Sequence, residues 1–139
     1  MMKSTGAQRP QYINPRTLTA PRGYSHGVLF GAGPRVVFLA GQIGCDAAGR
    51  IVSDRFEDQF DQALANLLAV VAEAGGAPES IGKLTIFVTD CAEYVAAREA
   101  TGQRYRRRMN NHYPAMTLVE VKALLEPRAR VEIEGLAWL

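Results

Sequence analysis

Cysteine, histidine and tryptophan are all scarce in this chain. There are two cysteines, two histidines and one tryptophan among 139 residues. Cys45 and Cys91 form no CxxC pair and no zinc spacing. They do not read as a disulfide framework, which points to a reducing compartment. His26 and His112 stand far apart without a ligand-spaced partner, so no metal site is expected. No apolar run approaches the ~20 residues of a membrane span. Met1 to Gln11 is polar and carries no signal-peptide core. The expectation is a soluble, cytoplasmic protein that does not engage a membrane. A phosphate-cradling GxxxxGK[ST] loop, a dinucleotide fingerprint and a Gly-x-Ser-x-Gly elbow are also missing, so no cofactor is expected.

What is present suits one ordinary domain. A chain this long buries roughly 68% of its unfolded surface. Hydrophobic content of 47% and charged content of 22% are globular values. The net charge of +2 neither demands nor excludes an acidic partner. Residues 1–21 carry Pro10, Pro15 and Pro21 and read as an extended or flexible leader. Residues 22–139 read as the domain.

Two apolar runs, Gly27 to Phe30 and Val36 to Ala40, flank Gly31-Ala32-Gly33-Pro34, which is turn chemistry. They predict a β-hairpin. From Asp54 to Ala74, Phe56, Phe60, Ala63, Leu64, Leu67, Val71 and Ala74 share one helical face. Asp54 with Glu57 resembles a capping box, and Gly75-Gly76 stops the helix. Leu84 to Val88 predicts a strand. A second helix opens at Asp90 with Glu93, places Tyr94, Ala97, Thr101, Tyr105 and Met109 on one face, and ends at Asn110-Asn111. Strands over Met116–Leu124 and Arg130–Leu139 close the chain. The predicted order is ββ-α-β-α-ββ, an α+β domain with two helices on one face of a mixed sheet.

The strands add a further expectation. Val36 to Ala40 is apolar on both faces, and Leu84 to Val88 is nearly so. In the last strand Val131, Ile133 and Leu139 share one side, with Leu136 and Trp138 on the other. Such strands belong to a sheet covered on both faces. Two helices cover only one, so a second copy of the chain is the simplest cover for the other.

Six segments, in order, resemble the Rid/YjgF (RidA, L-PSP) family. They are Gly23-Tyr24-Ser25-His26-Gly27-Val28, Val36 to Ile43, Gln59 with Ala63-Leu64 and Asn66-Leu67, Leu84 to Asp90, Tyr113-Pro114-Ala115-Met116-Thr117, and Val131 to Gly135. The resemblance implies a chorismate-mutase-like fold and a homotrimer with small-molecule sites in the clefts between subunits. It also implies a hydrolase (deaminase) that converts enamines and imines such as 2-aminoacrylate to keto acids and ammonia. Other members of the family are described as endoribonucleases or translation inhibitors, as ligand binders, or as holdases.

The resemblance also assigns residues. In the deaminating members an arginine follows the Pro-Ala pair and grips the substrate carboxylate through two parallel hydrogen bonds. Here Met116 stands there, with no charge and no donor. Glu132 matches a glutamate that positions or activates water, and Tyr24 a pocket tyrosine. Gly41 matches a glycine whose N–H faces the pocket, with Ser25 beside Tyr24. Each also has a plainer reading. Met116 could fill core space, and Glu132 could sit on an exposed face or in an ion pair. Tyr24 could be half-buried at a strand start, and Gly41 could mark a bulge. Glu120 and Glu134 rank below Glu132. Arg16, Arg22 and Arg50 are candidates for a replacement cation. Cys45 falls beside the Gly-Gln-Ile-Gly turn as a small buried thiol, and His26 reads as a structural residue. Arg104, Arg107 and Arg108 share a helical face, yet no aromatics interleave with them for base stacking. Nucleic acid is therefore the weakest partner. Three readings stay open: a hydrolase whose substrate range changed at Met116, a non-catalytic small-molecule binder, and an L-PSP-type ribonuclease.

Overall fold

The computed structural model describes residues 10–31 and 33–139. Met1 to Arg9 of the leader and Ala32 of the hairpin turn lie outside the described residues. Six strands form one sheet: β1 (Gln11–Ile13), β2 (Gly27–Phe30), β3 (Val36–Ile43), β4 (Ile81–Val88), β5 (Ala115–Glu120) and β6 (Val131–Trp138). The spatial order is β1-β2-β3-β6-β4-β5. Only β4 and β5 run parallel, with Leu84 beside Met116 and Ile86 beside Leu118. The mixed α+β sheet is the one expected.

Helix α1 (Phe56–Glu73) lies across β3 and β6. Its apolar face carries Phe56, Phe60, Ala63, Leu64, Leu67 and Val71, all buried as the 3.6-residue period requires. They meet Val37 and Leu39 of β3, Leu84, Ile86 and Val88 of β4, and Val131 and Ile133 of β6. Gly75, at φ +94°, takes the left-handed turn that ends this segment.

Four expectations need correction. The described part of the leader is not separate from the domain, because Gln11–Ile13 pairs with β2 and Ile13 and Leu18 enter the core. Asp54 caps nothing. Helix α1 starts after Arg55, which makes no side-chain cap, while Asp54 pairs with Arg128 at 2.9 Å. The second helix is broken at Ala97 (φ −93°, ψ 6°) into α2 (Cys91–Ala96) and α3 (Arg98–Met109). Asp90 does cap α2, accepting from the Ala92 and Glu93 amides. Finally, β5 stops at Glu120 rather than Leu124. Its partner β4 ends at Val88, opposite Glu120, so beyond that point the ladder has nothing to pair with.

The helices cover one face only. Arg104 and Arg108 of α3 hold Asp58 and Asp61 of α1, at 2.7 Å and 2.6 Å. On the other face Phe38 and Trp138 are 50% and 60% exposed, and Phe30 meets Phe38 edge-on at 5.9 Å.

Two buried amides of α1 fix the chain beyond the core. Gln59 is fully buried. Its Nε2 donates to the Ser53 and Arg128 carbonyls (2.8 and 3.1 Å), and its Oε1 accepts from the Arg130 N–H (2.8 Å). Asn66 Nδ2 donates to the Ile43 and Cys45 carbonyls. Gly44 admits the helix, since a Cβ there would lie 2.5 Å from the Gln59 backbone. Replacing Gln59 by leucine keeps the volume and removes the partner of three part-buried backbone groups. We expect Gln59→Leu to lower unfolding free energy by about 3 kcal/mol in urea titration. A loss below ~1 kcal/mol would show that the flanking loops find other partners.

Candidate functional site

Residues from three elements surround a cavity of about 510 Å³ at one end of the sheet. Tyr24 and His26 come from the segment entering β2, Gly41 and Gln42 from the end of β3, and Glu132 from the start of β6. The β3–β6 register shifts between Leu39 and Gln42, so the strand bulges at Ala40-Gly41. The bulge makes room for Glu132. A Cβ on Gly41 would lie 2.9 Å from Glu132 Cδ and closer still to a carboxylate oxygen. Gly41 is therefore both a bulge and a seat for the acid.

Glu132 is half-buried, and burial pushes its carboxyl above the usual carboxylate range, with Glu134 adding repulsion. It makes none of the side-chain hydrogen bonds or ion pairs found among the described residues. An acid of this kind can hold a proton closer to neutrality than a solvated glutamate can.

His26 is almost fully buried, and its ring is fixed on both sides. Its Nε2 lies 2.8 Å from the Thr19 carbonyl, which can only accept, so Nε2 carries the proton. Nδ1 then accepts from Gln42 Nε2 at 2.9 Å. Tyr24 packs edge-on against this ring at 5.3 Å and is half exposed to the cavity. His26 thus packs as a fixed ring against Tyr24. Cys45 and Glu126 also line the cavity. Burial pushes the Cys45 thiol up, and Asp46 and Glu126 push the same way, so it is no activated nucleophile.

The remaining assigned residues lie elsewhere. Ser25 lines a separate open depression on the uncovered sheet face with Phe38, Thr85 and Glu134. Met116 points to the opposite face, beside buried Leu84, and lines a cavity of about 180 Å³ under α2 and α3. Within one protomer, then, Tyr24, Gly41 and Glu132 come together and Met116 does not join them. Glu120 accepts from the Cys91 N–H at 2.8 Å and serves the start of α2. Arg50 pairs with Asp46 in an exposed turn, and Arg16 and Arg22 line neither the Glu132 cavity nor the Met116 cavity.

A sequence model described as endoribonuclease L-PSP matches residues 15–139. The chain belongs to this family, the Rid/YjgF family. The 2-iminobutanoate/2-iminopropanoate deaminase of Salmonella typhimurium is 34% identical over 114 residues, spanning 82% of this chain and 85% of its own. Among solved structures, the YjgF gene product of E. coli superposes with a TM-score of 0.80 at 29% identity, over 91% of this chain and 97% of that one. E. coli TdcF with bound serine gives 0.78 at 29% identity and the same coverage. The Rid/YjgF fold inferred from six sequence segments is the fold observed.

Sequence reasoning assigned no role to the amides of Gln42, Gln59 and Asn66. The usable signal for the last two was a polar side chain on the apolar face of an amphipathic helix. Such a residue must be fully hydrogen-bonded or absent.

Glu132 supplies a prediction. Its native carboxyl binds a proton more tightly than the unfolded one, because the native state penalises its charge. Its contribution to stability therefore falls as pH rises from the unfolded toward the native pKa. Glu132→Gln should melt above the wild type at pH 7, the gap closing toward about pH 4, where both side chains are neutral. Thermal unfolding across that range is the measurement. A variant that melts below the wild type at pH 7 would show Glu132 to be a structural anchor.

Proposed function

We propose that this protein is a Rid-type hydrolase of C=N bonds, converting imines or enamines to carbonyl compounds and ammonia, with a substrate range altered at Met116. The observation that carries the reading is Glu132 seated over Gly41, half-buried, with a raised pKa and a tyrosine across the cavity. The named deaminase relative and the serine-bound structure of TdcF support it.

The chemistry needs one acid and one water. Protonated Glu132 donates to the substrate nitrogen, making the C=N carbon electrophilic. The resulting carboxylate takes a proton as water adds to that carbon, giving a carbinolamine. Proton transfer to nitrogen and cleavage of the C–N bond release ammonia and the carbonyl product. Tyr24 packs against the substrate, and the Gly41 bulge lets it approach the β3 backbone.

The working unit in this reading is a homotrimer in the cytoplasm. Glu132 and Met116 lie on opposite faces of one sheet, so a cleft holding both draws them from two copies. The exposed Phe30, Phe38 and Trp138 form the apolar face another copy would cover. The ribonuclease reading finds little support. Both histidine rings are held by main-chain carbonyls, and Arg104 and Arg108 are spent on Asp58 and Asp61.

At Met116 the bidentate carboxylate contact is absent, a difference of roughly two or three decades in rate for small 2-imino acids. A coupled assay of 2-aminoacrylate hydrolysis should find the wild type barely above background and Met116→Arg about tenfold or more faster. Brisk wild-type turnover would refute the altered range. Silence from both proteins, across larger imines as well, would leave a binding protein in place of an enzyme.

A further inference from the structure

The Met116 cavity has a wall unlike that of the Glu132 cavity. Its wall is largely apolar and aromatic, with Phe60, Ile86 and Tyr105 buried, Tyr94 partly buried and Met116 exposed at 42%. Tyr105 stacks on Tyr113 at 5.6 Å, and Tyr94 meets Phe56 edge-on at 5.9 Å, so the rings are held in place. Tyr105 donates its hydroxyl to the His112 carbonyl, and burial with the neighbouring Tyr113 pushes its pKa up to about 12. The ring is therefore a neutral wall. The cavity of about 180 Å³ exceeds the roughly 150 Å³ void that holds benzene in an engineered protein core.

Two further features point to what enters. Thr101 is 3% exposed, lines this cavity, and its hydroxyl has no hydrogen-bond partner. A buried hydroxyl left without a partner is rare and costs free energy until something bonds to it. At the mouth stand Arg98 and Arg106, two turns apart on α3 with Gly102 midway. The Arg106 guanidinium lies back over Gly102, where a Cβ would sit 3.2 Å from Nη1. Neither arginine appears in an ion pair or side-chain hydrogen bond among the described residues, which is also true of Arg16, Arg22, Arg35 and Arg107, but only Arg98 and Arg106 of these line this cavity. Among the described residues no carboxylate lines this cavity, while Glu99 lines the open depression beside it that Arg98 and Arg106 also border.

We propose that Arg98, with Arg106 beside it, is the carboxylate anchor of this protein, and that the Met116 cavity takes an aromatic or branched apolar side chain of the same ligand. The substrate class is then a 2-imino acid with a bulky side chain. The Thr101 hydroxyl bonds to a polar atom of the ligand, and the Met116 thioether packs on its ring. Moving the cation from strand β5 to helix α3 clears the floor of the cavity, which an arginine at position 116 would occupy. The substrate class rests on the deaminase reading, but the anchor and the apolar pocket do not.

The test separates the two by measuring binding and turnover independently. Phenylpyruvate and pyruvate, stable keto acids, are titrated calorimetrically into the full chain and into Arg98→Ala, Arg98→Lys and the double variant Arg98→Ala/Arg106→Ala. Both arginines are exposed, so the variants keep the fold, and their melting curves check this. We expect phenylpyruvate to bind at least tenfold more tightly than pyruvate. The double variant should lose tenfold or more of that affinity, Arg98→Lys should lose less, and the uncharged probe phenylacetone should be held equally by all four proteins. Equal affinity for the two acids, or a double variant that binds phenylpyruvate as the wild type does, overturns the proposal. Turnover of imines generated from phenylalanine and alanine is then compared. Binding as expected with no turnover of either imine sinks the deaminase reading and leaves the anchor standing. Turnover that ignores both ring size and the arginines sinks the anchor and leaves the deaminase standing.

Discussion

The Gln59 amide is the interaction on which the site depends. It sits on the apolar face of α1, where leucine would be the default, and bonds to backbone groups at Ser53, Arg128 and Arg130. Those groups bound the loop that delivers β6, and Glu132 is the second residue of that strand. Seven residues along α1, Asn66 does the same for Ile43 and Cys45, just past the Gly41 bulge. One helix thus holds both strand ends that form the Glu132 cavity. A buried amide with every hydrogen bond made is worth little net stability, but it permits a single arrangement, because any slip leaves polar atoms unpaired. The acid and its glycine seat stay in register because the helix cannot shift without breaking these bonds.

Much of the fold could be read from the chain because its signals are periodic and local. The face of α1, the hairpin residues and the glycine stop each follow from spacing over a few positions. Apolar residues on both faces of Val36 to Ala40 and of the last strand marked a sheet needing cover on two sides, and the structure leaves Phe38 and Trp138 exposed on the second face. Two of the departures involve a partner distant in sequence, and a third has no local signal. Gln11–Ile13 becomes a strand because β2 offers it an edge. Asp54 falls one residue before the N-cap, Arg55, and its carboxylate pairs with Arg128 instead. The 91–109 helix kinks at Ala97, a residue with no local breaking tendency.

The site was legible in a different proportion. Tyr24, Gly41 and Glu132 were named from short segments and do line one cavity. Met116 was singled out from the Pro-Ala-Met segment, but its place across the sheet from Glu132 follows only from the β4–β5 register. Arg98 drew no notice because the arginine cluster at 104–108 is more conspicuous in sequence. In the structure the conspicuous charges are partly neutralised, with Arg104 and Arg108 on α1 carboxylates. The inconspicuous Arg98 faces a cavity with no acid on its wall. Charge density along a chain and charge available to a ligand are separate quantities, and only the fold relates them.

This distinction bears on what a lost anchor means. An arginine on strand β5 would place its charge at the floor of the cavity, and a ligand carboxylate would have to reach it there. With Met116 in its place that part of the wall is apolar and polarisable, and the cations lining the cavity are Arg98 and Arg106 on α3. A carboxylate bound at the rim turns the rest of the ligand inward, against Tyr94, Tyr105 and Met116. In the proposed reading a small substrate would leave the aromatic wall uncovered, whereas a larger one would bury apolar area against it at roughly 25 cal/mol per Å². Selectivity of this kind is a difference between two binding free energies. In the reading proposed above, one residue on β5 thus sets which ligand the site prefers, while the acid, its glycine seat and the supporting amides stay where the helix holds them.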